Sequence, residues 1–342
     1  MPLSLPRPQS GRVHGRRSSA LTLIALGVVA AVAASLLLGS KAIDPAAVVR
    51  RLANPAADVD AVVWGSRVPR TVLGLVVGMC LGAAGAVMQG QTRNPLADPG
   101  IFGVSAGASL AVVIGVRVAG TTSTLATLWF ALIGAVAATI VVFGVAALGR
   151  GLSSPVPLAI AGTAVSTLLA AVTSFIVLGD EATLAAYRVW VIGSLSGRTL
   201  SGIWVAVVAA AAGGVFAAAN ARALNSLALG TDVARGLGEN LVRARMTGLA
   251  AVTLLTASAV AITGPIGFVG LTAPHIARAA VGGDHRWLIP TSAAVGAGVL
   301  MLCDVVGRLG GGNGEVPVGT VLAVLGGIAF VAIVRRVRMA AL

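Results

Sequence analysis

Long uncharged, mostly apolar runs dominate the chain, at 18–40, 71–92, 99–116, 118–149, 151–179, 199–221, 246–277, 287–303 and 316–334, with the charged residues gathered between them. A helix needs about 20 such residues to cross a bilayer. The run 246–277 is too long for one upright helix. It is broken by Gly264, Pro265 and Gly267, so it divides into a span at 246–263 and a short one at 268–280. The pattern predicts ten transmembrane helices, at 20–39, 71–90, 100–116, 124–148, 156–178, 199–219, 246–263, 268–280, 290–307 and 317–334. The fold class is therefore an all-α polytopic membrane protein. The short eighth helix is expected to shelter among its neighbours instead of meeting lipid along its whole length.

Composition changes the reading of the charges. Hydrophobic residues make up 57% of the 342 positions and charged residues 10%, against about 25% charged in soluble domains. A net charge of +13 would suggest nucleic acid in a soluble protein. Here the basic residues sit mainly at the ends of apolar runs, where they set topology and anchor headgroups. With both termini on the cytoplasmic side, 15 of the 24 basic residues fall there and 9 on the outer side. The first run follows Arg12, Arg16 and Arg17 and exceeds a signal-peptide core of about 7–15 residues, which favours a retained span over cleavage at the Ala-rich Ala30–Ser35 stretch. Spans two to five and seven to ten form two sets that enter the membrane in opposite directions, the arrangement of an inverted repeat.

Candidate chemistry is sparse. The chain has no phosphate-binding loop of the G-x-x-x-x-G-K-[ST] type, and its one lysine is Lys41. No carboxylate falls mid-span, so no proton or sodium relay is indicated. Asp304, near the outer end of span nine, is expected to pair with Arg308 four residues on. His14, His275 and His285 are too scattered for a metal site, and Cys80 and Cys303 read as buried small hydrophobes. The 45 glycines suit close helix packing in lipid, with Gly78, Gly82 and Gly85 near one helical face. A permease driven by a partner fits this inventory better than a channel, which would carry a selectivity filter.

Four segments carry a family resemblance. They are Arg67-Val-Pro-Arg70 with Gly85-Ala-Val-Met-Gln-Gly90; Arg93-Asn-Pro-Leu-Ala-Asp-Pro-Gly100 running into Gly103-Val-Ser-Ala-Gly107; Gly264-Pro-Ile-Gly-Phe-Val-Gly-Leu-Thr-Ala-Pro-His-Ile-Ala-Arg278 with Gly283-Asp-His-Arg286; and Asp304, Arg308 and Glu315-Val-Pro-Val-Gly319. Together, over roughly residues 20–336, they resemble the FecCD family of ABC importer permeases, whose members carry ferric siderophores, haem and vitamin B12. The middle motifs look closest to permeases for catecholate siderophores. The family commonly has Gly-Gly-Pro-Phe-Phe in its last span, whereas this chain has Gly326-Gly-Ile-Ala-Phe330, which predicts a straighter last helix.

The resemblance implies a type II importer permease in the bacterial cytoplasmic membrane, with cytoplasmic tails at 1–19 and 337–342 around a ten-helix domain at 20–336. It implies a second permease subunit, identical or related, two cytoplasmic ATPases that use ATP and Mg2+, and an external substrate-binding protein. No cofactor, metal or nucleic acid is expected on this chain, and it is not itself an enzyme. Arg67, Arg70 and Arg308 match arginines that grip acidic residues of the binding protein, a task suited to the planar guanidinium fork. Within a cytoplasmic loop at 221–240, Leu229, Gly230, Thr231, Val233, Ala234 and Leu237 match the element that engages the ATPase. Thr231 or Asp232 would cap a short helix there. Gly162, Thr163 and Ser166 are candidates for the constriction of the pathway. Asn94, Pro95, Asp98, Pro99, Gly264, Pro265, Pro274 and His275 read as structural motif positions, with Asp98 capping span three. Haem or vitamin B12 import is the alternative within the family, and a secondary transporter without an ATPase is the alternative outside it.

Overall fold

The computed structural model describes residues 10–41, 43–53, 62–120, 123–148, 155–311 and 314–340. Every regular element among them is helical. The α-helices are α1 (Ser10–Leu37), α2 (Pro45–Ala53), α3 (Val68–Thr92), α4 (Val104–Ala119), α5 (Thr124–Leu148), α6 (Pro155–Leu178), α7 (Glu181–Val191), α8 (Trp204–Ala228), α9 (Thr231–Gly236), α10 (Leu241–Thr263), α11 (Val269–Val281), α12 (His285–Gly310) and α13 (Val318–Ala340). A π-helical turn at Val63–Arg67 leads into α3, and a 3-10 turn at Pro99–Phe102 precedes α4.

Each expected span has a counterpart. Seven helical stretches among the described residues are long and apolar enough to cross a membrane, and shorter apolar helices run over Val104–Val118 and Val318–Ala332. The helix matching the eighth span, α11, has only 13 residues and buries most of them, as its length requires. Two helices were not anticipated. α2 and α7 are short and carry charge, and α7 is capped by Asp180, whose carboxylate accepts the Thr183 N–H at 2.9 Å. α1 starts at Ser10, inside the stretch expected to be a tail, and α13 runs unbroken to Ala340.

Burial sorts the helices into an inner and an outer set. The most apolar stretches containing α3 and α10 are each 78% buried and that of α12 is 61% buried, against 11% for α1 and 28% for α6. Small residues make the inner contact. A Cβ on Gly78 would stand 2.5 Å from the Ala297 Cα, and one on Gly82 or Gly296 would collide with backbone of the facing helix. α3 and α12 therefore touch backbone to backbone, the close approach that glycine permits in lipid. Gly85 makes the same contact with the Gly270 backbone of α11.

Candidate functional site

At one end of the bundle a cavity of about 310 Å³ is lined by Gly39, Ser40, Lys41, Arg67, Arg70, Arg308 and Glu315, with Val62 and Ser66. The geometry starts with backbone. Pro69 has no N–H to give to a preceding carbonyl, and in the first turn of α3 that loss costs nothing. The chain reaches it through the π turn, closed by Arg67 N–H donating to the Val62 carbonyl at 2.9 Å. The wider turn aims Arg67 at the end of α1. Its guanidinium donates to the carbonyls of Leu36 and Leu37, both at 2.8 Å, and of Lys41 at 2.7 Å. Arg308 donates to the carbonyls of Ser35 at 3.0 Å and Leu38 at 3.1 Å, and to Ser35 Oγ at 2.9 Å. Two arginines thus satisfy the last carbonyls of α1, where the helix dipole is negative.

The third arginine is held by carboxylates. Arg70 Nη2 lies 2.8 Å from Asp304 Oδ1, Nε is 3.0 Å from both Asp304 oxygens, and Nη1 is 2.6 Å from Glu315 Oε2. Asp304 also pairs with Arg308 at 3.0 Å. The i,i+4 pair expected from the sequence is present, but Asp304 serves two arginines and Glu315 belongs to Arg70. Burial pushes the Glu315 carboxyl up, yet hydrogen bonds from Arg70, Ser40 and Ser196 outweigh it and hold the group below the usual carboxylate range. With Lys41, four cations line the cavity beside one carboxylate, Glu315, while Asp304 lies buried behind Arg70 and Arg308.

The three arginines expected to grip a partner are themselves buried. Arg67, Arg70 and Arg308 are 3%, 5% and 4% exposed. They form a fixed cationic floor beneath the cavity, because a buried guanidinium must satisfy its donors locally.

The loop between α8 and α10 lies with the other charged end of the bundle. Gly230 has φ +108°, a conformation that L side chains rarely adopt, and it breaks the chain between α8 and α9. Neither Thr231 nor Asp232 caps α9. Gly230 occupies the cap position, and Asp232 pairs with Arg235 at 3.1 Å. Leu229, Val233 and Leu237 are 64%, 50% and 63% exposed; Val233 and Leu237, four apart, share one side of α9, and Leu229 stands at the end of α8 before the break. Ala234 is fully buried and seats α9 on the bundle; Thr231 is half-buried.

On α6, Gly162 is buried, Ser166 is half-buried beside Gly103, and Thr163 is exposed. Thr163 is joined on its face by the exposed Thr167 and Ser174. The threonine hydroxyls return to the Ala159 and Thr163 carbonyls, both at 2.9 Å. The two Pro-containing breaks meet inside the bundle. Asn94 Oδ1 accepts the Leu96 N–H at 2.9 Å, and Asp98 Oδ1 accepts the Gly100 N–H at 2.8 Å, so Asp98 caps the 3-10 turn and not α4 itself. Pro99 packs against Gly270, and Asp98, Pro99 and Pro265 share a cavity of about 220 Å³. Gly264 has φ +80°, and a Cβ there would run into the Trp190 carbonyl. Pro274 is buried within α11, with the half-buried His275 beside it.

Several polar residues escaped the sequence reading. Asn225 Nδ2 donates to Asp284 Oδ1 at 2.7 Å, and its Oδ1 accepts the His285 N–H at 2.9 Å. Gln89 Nε2 donates to the Leu271 carbonyl at 3.4 Å while its Oε1 accepts from Arg278 at 3.2 Å. The available signal was an amide near the end of an apolar run, since such a group must find a partner inside the protein.

Known proteins with this sequence pattern and shape bear on what these sites serve. The model of the FecCD transport family matches residues 26–336. The ferric enterobactin transport system permease FepD of Escherichia coli is 40% identical over 96% of this chain and 98% of its own length. The hemin transport system permease HmuU of Yersinia pestis is 36% identical over 80% of this chain and 82% of its own. Among solved structures, a metal-chelate type ABC transporter in an inward-facing conformation superposes with a TM-score of 0.79 at 26% identity, covering 93% of this chain and 99% of that one. The match to the family model spans the inner helices, both broken segments and the arginine cluster, and on it the chain belongs to the FecCD transport family, the membrane permease subunits of ABC importers.

Proposed function

We propose that this chain carries ferric siderophores across the bacterial cytoplasmic membrane as one of two permease subunits, with a binding protein docking on the arginine-floored cavity and an ATPase seated on the α8–α9 elbow. The observation that carries the reading is the placement of these two features at opposite ends of one membrane-spanning bundle. A surplus of cations around an open cavity suits a carboxylate side chain from a partner, and Lys41 stands exposed at its rim. The exposed Leu229, Val233 and Leu237 suit an apolar cleft. On this reading residues 1–19 and 337–342 lie in the cytoplasm with the 221–240 loop, residues 20–336 form the permease domain, and ATP and Mg2+ are bound by the partner. The exposed Thr163, Thr167 and Ser174 face of α6 suits the wall of a wet pathway beside the second subunit better than lipid.

The siderophore assignment draws on the enterobactin permease, which is similar along nearly its whole length. The test is ATP-dependent uptake of a panel of ferric complexes, with ferric enterobactin first and hemin and cobalamin included. The expected result is uptake of catecholate complexes that requires both the ATPase and the binding protein. Uptake of hemin or cobalamin alone would move the substrate to the other family branches, and uptake without the ATPase would overturn the importer reading. Lys41→Glu should weaken binding-protein affinity most at low salt while leaving the fold intact; unchanged affinity would remove the cavity from the docking surface.

A further inference from the structure

We infer that Asn225 is a positioning residue that fixes the ATPase-facing elbow to helix α12, so that movement at the arginine cavity reaches α9 through a rigid α3–α12 pair. The inference rests on the proposed role of α9 as the ATPase contact and adds to it the element that drives it.

Asn225 lies one turn before the end of α8, and α9 begins six residues after it. Its side-chain amide is fully committed to the start of α12. Nδ2 donates to Asp284 Oδ1 at 2.7 Å, and Oδ1 accepts from the His285 backbone N–H at 2.9 Å and lies 2.9 Å from His285 Nδ1. Asp284 uses the same oxygen to cap α12 through the Arg286 N–H at 3.0 Å. Asp284 lies outside the apolar span, and its carboxyl is held below the usual range first by the Asn225 hydrogen bond and then by the Arg286 N–H, so the acceptor is a charged one. Beyond the latch, Ser226 Oγ lies 3.3 Å from Glu239 Oε1, tying the end of α8 to the far side of α9.

The other end of α12 holds Asp304 and Arg308, the floor of the arginine cavity. Twenty residues of helix separate Asp284 from Asp304, about 30 Å. Over that length α12 lies backbone to backbone against α3 through Gly78, Gly82 and Gly296. α3 brings Arg70 to one end of the pair, and at the other Gly90 packs against the His285 ring. Two helices interlocked at glycines move as one body, because sliding would drive a carbonyl into a Cα. The latch is the polar link between that body and α8 that lies nearest the elbow.

The experiment uses the complete importer in lipid nanodiscs, with its ATPases and binding protein and ferric enterobactin as the carried complex. Asn225→Asp keeps an acceptor for the His285 N–H but replaces the donor to Asp284 with a second carboxylate that repels it, so N225D should keep assembly and unstimulated ATP hydrolysis but lose stimulation by the loaded binding protein. Adding Asp284→Asn exchanges donor and acceptor and keeps a good cap residue; the N225D/D284N double should regain the stimulation. Asp284→Ser supplies an N-cap oxygen but is too short to reach Asn225, so D284S should lose stimulation with α12 still capped. Parent-like stimulation in N225D or D284S, or no recovery in the double, overturns the latch. Val233→Asp distinguishes the two readings: if V233D leaves ATPase assembly intact, it is the elbow contact itself that fails.

Discussion

Asp304→Leu tests whether the cationic floor is an interlocked buried cluster. The Asp304 side chain is 2% exposed and Arg70 is 5% exposed, and the one carboxylate neutralises both Arg70 and Arg308. Removing it leaves the buried Arg308 with no carboxylate partner and Arg70 with Glu315 alone. Breaking a buried ion pair costs about 3–5 kcal/mol, much of it the desolvation of the charge left behind. At roughly 2 °C per kcal/mol for a large domain, that is a fall of ~6–10 °C in Tm. Arg70→Met should cost less, because Asp304 keeps Arg308 at 3.0 Å and Glu315 sits at the cavity, 26% exposed, where water can reach it. Arg235→Ala is the control. Arg235 and Asp232 are 59% and 93% exposed, and such pairs contribute less than about 1 kcal/mol. The assay is thermal unfolding of the purified protein in one detergent, followed by tryptophan fluorescence. The expected order of destabilisation is Asp304→Leu, then Arg70→Met, then Arg235→Ala. If Asp304→Leu melts with the Arg235→Ala control, the buried-cluster argument is wrong.

Gly82→Leu should destabilise by more than about 2 kcal/mol, since its side chain would overlap the Ser292 backbone, while Gly214→Ala on α8 meets nothing within 4 Å and should gain about 0.5–1 kcal/mol; unfolding midpoints of both variants check the pair. Gly230→Val should abolish uptake while leaving membrane insertion intact, because φ +108° excludes a β-branched side chain and the elbow must refold; normal uptake would show that the elbow conformation is dispensable. Glu315 has a lowered carboxyl pKa, so its contribution to stability is complete above the ordinary value of about 4.3 and is lost as pH falls through the lower folded pKa. Glu315→Gln should therefore flatten the acid limb of the stability–pH curve, and an identical limb in both proteins would exclude this carboxylate as its cause.

Apolar run length located the main helices and their order, because in lipid a backbone of about 20 apolar residues satisfies its hydrogen bonds as a helix. The same logic placed the break at Gly264–Gly267 and the Asp304–Arg308 pair, which are local in sequence. The four motifs carried the family. Partners distant in sequence were another matter. That Arg70 meets Asp304 across 234 positions, or that Arg67 and Arg308 cap α1, depends on which helices are neighbours; the shared face of Gly78 and Gly82 shows in the sequence, but not that α12 packs against it. The arginines that the resemblance placed on the outer side form a buried floor for this reason. The elbow was visible as a glycine break, but tertiary packing decided that Ala234 turns inward while Leu229, Val233 and Leu237 stay exposed. The latch was invisible in sequence: Asn225 is an ordinary polar residue near a helix end until folding brings Asp284, 59 positions away, to within 2.7 Å of its amide.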